Sequence, residues 1–421
     1  MLTLGISLLL MGLAFVVTML VFPYVLAFAR RHGIVDNPNA RKLQRVPVPV
    51  MGGTTVFIGV MVAVLVCAAI TGDYDMLELL GLVMVMYLIG LWDDVKDVPV
   101  ALRFAVEVMV VWLMIVLFGV EINDFHGFMG IHEIPDLASV PLSLVAGVGI
   151  INAINLIDGV DGYCSTYGVM SCVMFAIIFY YVGDMSTFTF ALIVAGSLVP
   201  FFFHNVFGKT SKMFLGDGGS LMLGTVLTFF TFCALSSTSP CAAYGSDGLS
   251  LVALTLAILA VPVFDTLKVM IGRVVRGQSP FHPDKTHLHH LFIEMNFSHL
   301  ATSEIIVFVN FLIVALLILA WNLGASINFQ VWMVIALALL VTWGFYYFME
   351  HERRQNDGEG SPFFNRCCKR GKAWNFSTTK VWQFIRRMVD SKFLGGKAPE
   401  PVEEPSPDGP SGPAKIDPRI G

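Results

Sequence analysis

The chain has 421 residues, 56% of them hydrophobic and 14% charged, with a mean hydropathy of +0.74; a soluble protein of this size would carry about 25% charged residues. That excess of apolar surface needs lipid to cover it, so a set of two or three soluble domains is excluded in favour of an all-α polytopic membrane protein with about eleven transmembrane helices. The formal net charge of −5 matters less than where the charges lie, and the seven cysteines show no metal spacing.

Apolar segments run over roughly 4–29, 51–71, 76–92, 101–119, 139–157, 163–182, 187–204, 218–236, 249–270, 302–321 and 328–349. Each is long enough to close its own backbone hydrogen bonds as a helix, which the bilayer interior demands, and too long and continuous for a barrel strand. The N-terminus lacks a basic n-region and a small-residue cleavage site, so the first segment reads as a membrane helix. Lys and Arg fall on alternate loops. Arg30, Arg31, Arg41, Lys42 and Arg45 follow the first segment, Lys96 and Arg103 the third, Lys209 and Lys212 the seventh, and Lys268, Arg273, Arg276 and Lys285 the end of the ninth. The loops 72–75, 120–138, 183–186, 237–248 and 322–327 carry none. This asymmetry puts the N-terminus outside and the C-terminus in the cytoplasm. The longest outer loop, 120–138, contains Glu121, Asp124, Glu133 and Asp136 and is expected to form a small hairpin.

The chain divides into a membrane-embedded unit over 1–349, a basic tail over 350–394 and a Pro/Gly/acid-rich end over 395–421 expected to be disordered. Within 379–394, Val381, Phe384, Ile385 and Met388 recur at helical spacing beside Arg386, Arg387 and Lys392. That pattern predicts an amphipathic helix lying on an anionic leaflet or against a soluble partner.

Polar motifs gather on the inner loops. Asp36 opens Asp-Asn-Pro-Asn-Ala-Arg41-Lys42, followed by Pro47-Val-Pro49-Val-Met-Gly52-Gly53, a fixed bend in which Arg41 and Lys42 offer cations to phosphate. Asp93 and Asp94, with Arg103 further on, place two carboxylates at the negative end of a helix, a conflict that a divalent cation or a shared proton resolves. In Asn152-Ala-Ile-Asn155-Leu-Ile-Asp158-Gly-Val-Asp161-Gly162 the carboxamides and the carboxylates each stand three apart, a spacing that shares a face if the turn stays helical. Ionisable groups at membrane depth cost roughly 2.5–3.5 kcal/mol each on insertion scales, so they call for a reason. Phe214-Leu-Gly216-Asp217-Gly-Gly-Ser220 opens the eighth segment; Asp217 either caps that helix or holds a metal, and the helix N-terminus offers amides to an anion. Finally, Lys285 stands beside His287, His289 and His290, imidazoles better suited to phosphate than to zinc, since no Cys or acid completes a tetrahedral set. Carboxylates with carboxamides point to magnesium, cations to a diphosphate, and the membrane setting to a lipid substrate; together they describe phosphoryl transfer at a membrane surface.

These five motifs, in this order over about residues 30–295, resemble those of the polyprenyl-phosphate N-acetylhexosamine-1-phosphate transferases, in the undecaprenyl-phosphate GlcNAc-1-phosphate branch of glycosyltransferase family 4. The resemblance implies attack of a polyprenyl phosphate on the β-phosphate of a UDP-sugar, with release of UMP and dependence on Mg2+, Mn2+ being an alternative. It implies Asn155 and Asp217 as metal ligands and Asp93, Asp94, Asp158 and Asp161 as catalytic carboxylates. It leaves open whether one of the aspartate pair is a base or Asp158 a nucleophile, direct attack being favoured because a lipid phosphate is already largely ionised. Asp36, Arg41, Lys42, Arg103, Asn152, Lys285, His287, His289 and His290 are implied in binding substrate. His-Leu-His-His, rather than three consecutive histidines, implies UDP-GlcNAc as donor, with another UDP-N-acetylhexosamine or UDP-MurNAc-pentapeptide as alternatives. Gln44 and Val50 depart from the family's His and basic residue. The expected setting is the inner (plasma) membrane, multi-pass, with the site on the cytoplasmic face. Expected partners are a UDP-sugar, a polyprenyl phosphate and the membrane; a homodimer is admissible and no nucleic acid is expected. An ion-coupled transporter, the competing class, should show internal repeats and helices interrupted at mid-membrane; no repeat is seen, and the acids cluster at one face.

Overall fold

The structure, a computed structural model, describes residues 2–36, 46–72, 74–279, 286–355, 360–374 and 379–391. These residues form a helical bundle with a two-stranded ribbon, Val35–Asp36 (β1) antiparallel to Val48–Pro49 (β2). The helices are α1 (Leu4–Arg31), α2 (Gly52–Thr71), α3 (Asp75–Val95), α4 (Val100–Phe118), α5 (Asp136–Leu156), α6 (Tyr163–Val182), α7 (Met185–Phe207) and α8 (Gly216–Ala234). After them come α9 (Leu251–Ile258), α10 (Ala260–Val275), α11 (Leu288–Glu294), α12 (His299–Asn322), α13 (Ile327–Leu339), α14 (Phe345–Arg354), α15 (Pro362–Ala373) and α16 (Lys380–Val389). Among the described residues ten helices are long and apolar enough to cross a membrane, α13 and α14 forming one of them through a π-turn at Leu340–Gly344. The pair α9–α10 adds an eleventh only if its two bent halves are taken as one span.

The packing follows from side-chain size. α8 sits at the centre, almost wholly buried, although it is the least apolar of the spans. Between apolar helices in lipid, close approach rather than hydrophobicity drives association, and small residues permit it. A Cβ on Gly224 would stand 2.7 Å from the Cα of Ile151, and the Thr228 hydroxyl donates to the Gly147 carbonyl at 3.2 Å, joining α8 to α5. The Ser220, Thr225 and Thr231 hydroxyls bond back to carbonyls one turn earlier, so no polar group of α8 faces lipid unpaired. α1, α4 and α13–α14 lie at the periphery, and their exposed Leu9, Leu20, Trp112, Val116, Trp332 and Leu340 form part of a lipid-facing girdle.

The ninth apolar segment departs from a straight crossing. The chain turns by 72° at Leu259, between α9 and α10. Backbone groups released by such a break need partners inside a bilayer. Asn310 of α12 donates to the carbonyls of Ala257 and Ile258 and accepts from the amide of Val261, and the Tyr167 hydroxyl donates to Ile258. Beyond the bend, Asp265, Lys268 and Arg273 are buried while Leu267, Ile271 and Val275 are exposed, so the charged face turns inward. Burying Asp265 and Lys268 against each other, with Nζ and Oδ1 2.6 Å apart, spares lipid from both charges.

At one end of the bundle the 120–138 loop forms the expected hairpin. Asp124 bridges Glu133, and the amides of Asn123 and Asp124 bond to the carbonyl of Leu235. The 325–330 turn closes on the same end through Met129 and Asn328. The acidic and histidine motifs lie at the other end.

Candidate active site

α3 and α8 set the geometry. Gly90 of α3 lies so close to α8 that an added Cβ would fall 2.4 Å from the carbonyl oxygen of Asp217 and 2.6 Å from the amide of Gly218. That approach brings Asp94 to the start of α8, where its carboxylate accepts the amides of Asp217 at 2.8 Å and Gly218 at 3.0 Å. Gly216, at φ +76°, leaves room for the Asp94 oxygens, which a Cβ there would meet at 2.5 Å. The free amides expected at this helix N-terminus are thus taken by Asp94, an anion from the neighbouring helix. Asp217 does not cap its own helix either; its Oδ1 accepts from Asn155 Nδ2 at 2.6 Å, and the same carboxamide donates to Ser220 at 2.9 Å.

Asp93 turns to the α3–α4 connection, accepting from the Val98 amide at 2.8 Å and from Arg103 at 3.2 Å. Arg103 then reaches Glu107 at 3.3 Å, Asn152 at 3.3 Å and Asp217 at 3.9 Å. Asn152 donates to buried Glu107 at 2.5 Å, so Glu107 and Asn152 hold the Arg103 that reaches Asp93 and Asp217. α5 ends in a 3-10 turn, Ile157–Gly159, before Val160 becomes extended and Gly162 left-handed. The turn does not stay helical, yet Asp158 and Asp161 both reach the same cavity, with Asp158 within electrostatic reach of Asp94, Asp161 and Asp217.

That cavity has a volume of about 710 Å³ and takes in Asp36, Asp93, Asp94, Asp97, Asp158, Asp161 and Asp217, with Lys212, His290 and His299 as its cationic or titratable counterparts. Asp161 pairs with Lys212 at 2.6 Å and His299 at 3.0 Å. Burial by itself would raise the Asp161 pKa; the hydrogen bond and charge of His299 and the charge of Lys212 outweigh it and hold the carboxyl below its usual range.

The histidines separate. His290 lines the cavity. His289 is buried, with Nε2 3.3 Å from where a Cβ on Gly159 would sit. Burial, with His290 and His287 beside it, holds its imidazole well below the usual range, so it is neutral and no cation for phosphate. His287 pairs instead with buried Asp265 at 3.0 Å, and Leu288 donates its amide to the same carboxylate. The three imidazoles grouped in the sequence thus take different places: His287 on Asp265, His289 buried, and His290 on the cavity wall. Arg41, Lys42, Lys285 and Gln44 lie outside the described residues. Lys212, His299, Asp265 and Lys268 were not singled out from the sequence as parts of the site. Lys212 precedes the Gly-Asp motif by four residues, and an acid and a base three apart within an apolar segment mark Asp265 and Lys268; nothing local marks His299.

Among the described residues no three His, Cys, Asp or Glu side chains form a metal cage. Magnesium does not need one: it is commonly held by one or two carboxylates with water and substrate phosphates completing its octahedron. A wall crowded with carboxylates, with Asp217 and Asn155 side by side, offers the oxygen ligands that ion prefers.

The profile of glycosyl transferase family 4 matches residues 76–235, which contain the Asp93–Asp94 pair, the Asn152–Gly162 stretch and Asp217. A probable undecaprenyl-phosphate N-acetylglucosaminyl 1-phosphate transferase of Bacillus subtilis (strain 168) is 31% identical over 305 residues, 71% of this chain and 82% of that protein. An undecaprenyl-phosphate alpha-N-acetylglucosaminyl 1-phosphate transferase of Yersinia pestis is 29% identical over 316 residues, 73% of this chain and 82% of that protein. A decaprenyl-phosphate N-acetylglucosaminephosphotransferase of Mycolicibacterium smegmatis (strain ATCC 700084 / mc(2)155) is 29% identical over 310 residues, 68% of this chain and 75% of that protein. With this similarity spread across the spans that build the cavity, the chain belongs to glycosyl transferase family 4, alongside these polyprenyl-phosphate transferases.

Proposed function

We infer that this protein transfers N-acetylglucosamine 1-phosphate from UDP-GlcNAc to undecaprenyl phosphate, releasing UMP, with Mg2+ and on the cytoplasmic face of the plasma membrane. The observation that carries the reading is the convergence of Asp93, Asp94, Asp158, Asp161, Asp217 and His290, from separate segments, on one polar cavity at one end of an apolar bundle. The relatives are N-acetylglucosaminyl 1-phosphate transferases acting on undecaprenyl phosphate, which supports this sugar and this lipid class. The asymmetry of Lys and Arg supports the cytoplasmic assignment.

In this reading an oxygen of the acceptor phosphate attacks the β-phosphorus of the donor, and the bond from that phosphorus to the bridging oxygen breaks, leaving UMP. The second ionisation of a phosphate monoester lies near about pH 6, so the acceptor arrives as a nucleophile and no strong base is required. Asn155 and Asp217 would hold Mg2+, which when bound draws charge from the diphosphate and lowers the barrier to its cleavage. Arg103, 3.2 Å from Asp93 and 3.9 Å from Asp217, holds both carboxylates in place. Asp94 locks the start of α8 so that Asp217 cannot swing away. Lys212, His290 and His299 supply cations or proton donors for the phosphates. The test is direct: purified protein with UDP-GlcNAc, undecaprenyl phosphate and Mg2+ should release UMP, and Asp217→Ala should abolish release while its melting temperature stays close to wild type. Undiminished turnover in that variant would remove Asp217 from the chemistry. A panel of UDP-sugars against the same lipid checks the donor.

A further inference from the structure

The tail helix α16 lies well beyond the residues matched by the family profile, yet it closes on the site. Thr379 caps its start, accepting from the Trp382 amide at 3.2 Å. Its inward face packs Trp382, Ile385 and Val389 against Phe202, Phe203, Val206, Phe207 and Leu300, with the Trp382 and Phe207 rings 4.6 Å apart. Arg386 donates to the Phe207 carbonyl at 3.2 Å, one of the carbonyls that the end of α7 leaves without a helical partner.

Asp390, directly after the helix, is where this docking meets the site. Its carboxylate accepts the backbone amides of Lys209, Thr210 and Ser211 and both hydroxyls of Thr210 and Ser211, every distance between 3.0 and 3.1 Å. A carboxylate accepting several backbone amides is held strongly, because each bond is charge-assisted. The next residue is Lys212, whose Nζ lies 2.6 Å from Asp161. The far side of the turn is stitched to the same loop by Asn205, which donates to the Met213 carbonyl and accepts from the Gly162 amide. Arg30 of α1 donates to the Thr210 carbonyl. A cavity of about 210 Å³ remains between α16 and the site, walled by Trp382 and Arg386 on the tail and by Asp161, Lys212 and His299 on the other side.

We propose that Asp390 is a positioning residue of the active site: through the amides of Lys209–Ser211 it fixes the turn that presents Lys212 to Asp161, so the basic tail is part of the catalytic unit. The inference rests on the reading of the cavity given above. It differs from a tail that merely rests on the membrane, because the contact is made to a turn carrying a cavity side chain.

The test uses the full chain with Asp390→Ala and Asp390→Asn. Lys212 labelling by an amine-reactive ester, read by mass spectrometry, should rise at least threefold in both variants, while Lys268, buried on Asp265, labels at the wild-type rate and so reports an intact fold. UMP release should fall about tenfold in either Asp390 variant and in Lys212→Ala, and Asp390→Ala combined with Lys212→Ala should be no slower than Lys212→Ala alone, the non-additivity expected of residues acting as one unit. Unchanged Lys212 labelling overturns the proposal, as do losses that multiply in the double variant. If wild-type protein releases no UMP, the functional reading falls, while the labelling still decides whether Asp390 sets Lys212.

Discussion

Replacing Gly90 by Ala adds one methyl group at the contact on which the site depends. That Cβ would lie 2.4 Å from the Asp217 carbonyl oxygen, 2.5 Å from its carbon and 2.6 Å from the Gly218 nitrogen, all backbone, against ordinary contacts that begin near 3.4 Å. α3 and α8 must separate by about 1 Å, since backbone cannot rotate away as a side chain does. Overpacking of this kind costs about 1–3 kcal/mol of stability. The functional loss should be larger, because Asp94 is bonded to the Asp217 and Gly218 amides and a misplacement of about 1 Å costs on the order of 100-fold in rate. Gly81, on the same helix, is the control: a Cβ there meets nothing within 4 Å, so Gly81→Ala should leave turnover unchanged and raise helix stability by up to about 1 kcal/mol. UMP release and thermal unfolding in detergent, measured on both variants, decide it. Gly90→Ala with wild-type kcat, or Gly81→Ala with an equal loss, would refute the claim that this close approach aligns the two carboxylates.

Asn310→Leu strips the side-chain partner from the Ala257 carbonyl and the Val261 amide at the 72° break, while the Ile258 carbonyl keeps the Tyr167 hydroxyl. At about 1–3 kcal/mol for each group left unsatisfied, it should lower the unfolding temperature markedly; an unchanged melt would show that the bend does not need Asn310. Chelation of divalent cations should abolish UMP release and added Mg2+ restore it, whereas full activity in excess EDTA would point to metal-free chemistry. Asp161 has a folded-state pKa below its unfolded value, so its stabilising contribution is complete above about pH 4 and is lost as pH falls through the lower folded value. Asp161→Asn should therefore melt lower than wild type near pH 7 but lose less as pH falls below about 4; parallel acid limbs would contradict the pairing with Lys212 and His299.

The spans were legible along the chain because lipid imposes a local rule: about 20 apolar residues, each closing its own hydrogen bonds. The grouping of Asp93, Asp94, Asp158, Asp161 and Asp217 into one site was legible for a related reason, since charge at membrane depth is costly enough to stand out in any single segment. The division of labour among the histidines was not. His287 goes to Asp265, His289 is buried against Gly159, and His290 reaches the cavity, a sorting made by partners more than 20 residues away or on another helix. The break at Leu259 depends on Asn310 in the same way, and Lys212 and His299 meet Asp161 only because three loops close at one end. Periodicity and composition report what a residue costs in its own surroundings and so fix the elements. Which side chain spends its hydrogen bonds on which neighbour is decided only when the helices pack, and the tail's grip on Lys209–Ser211 through Asp390 belongs to that second class.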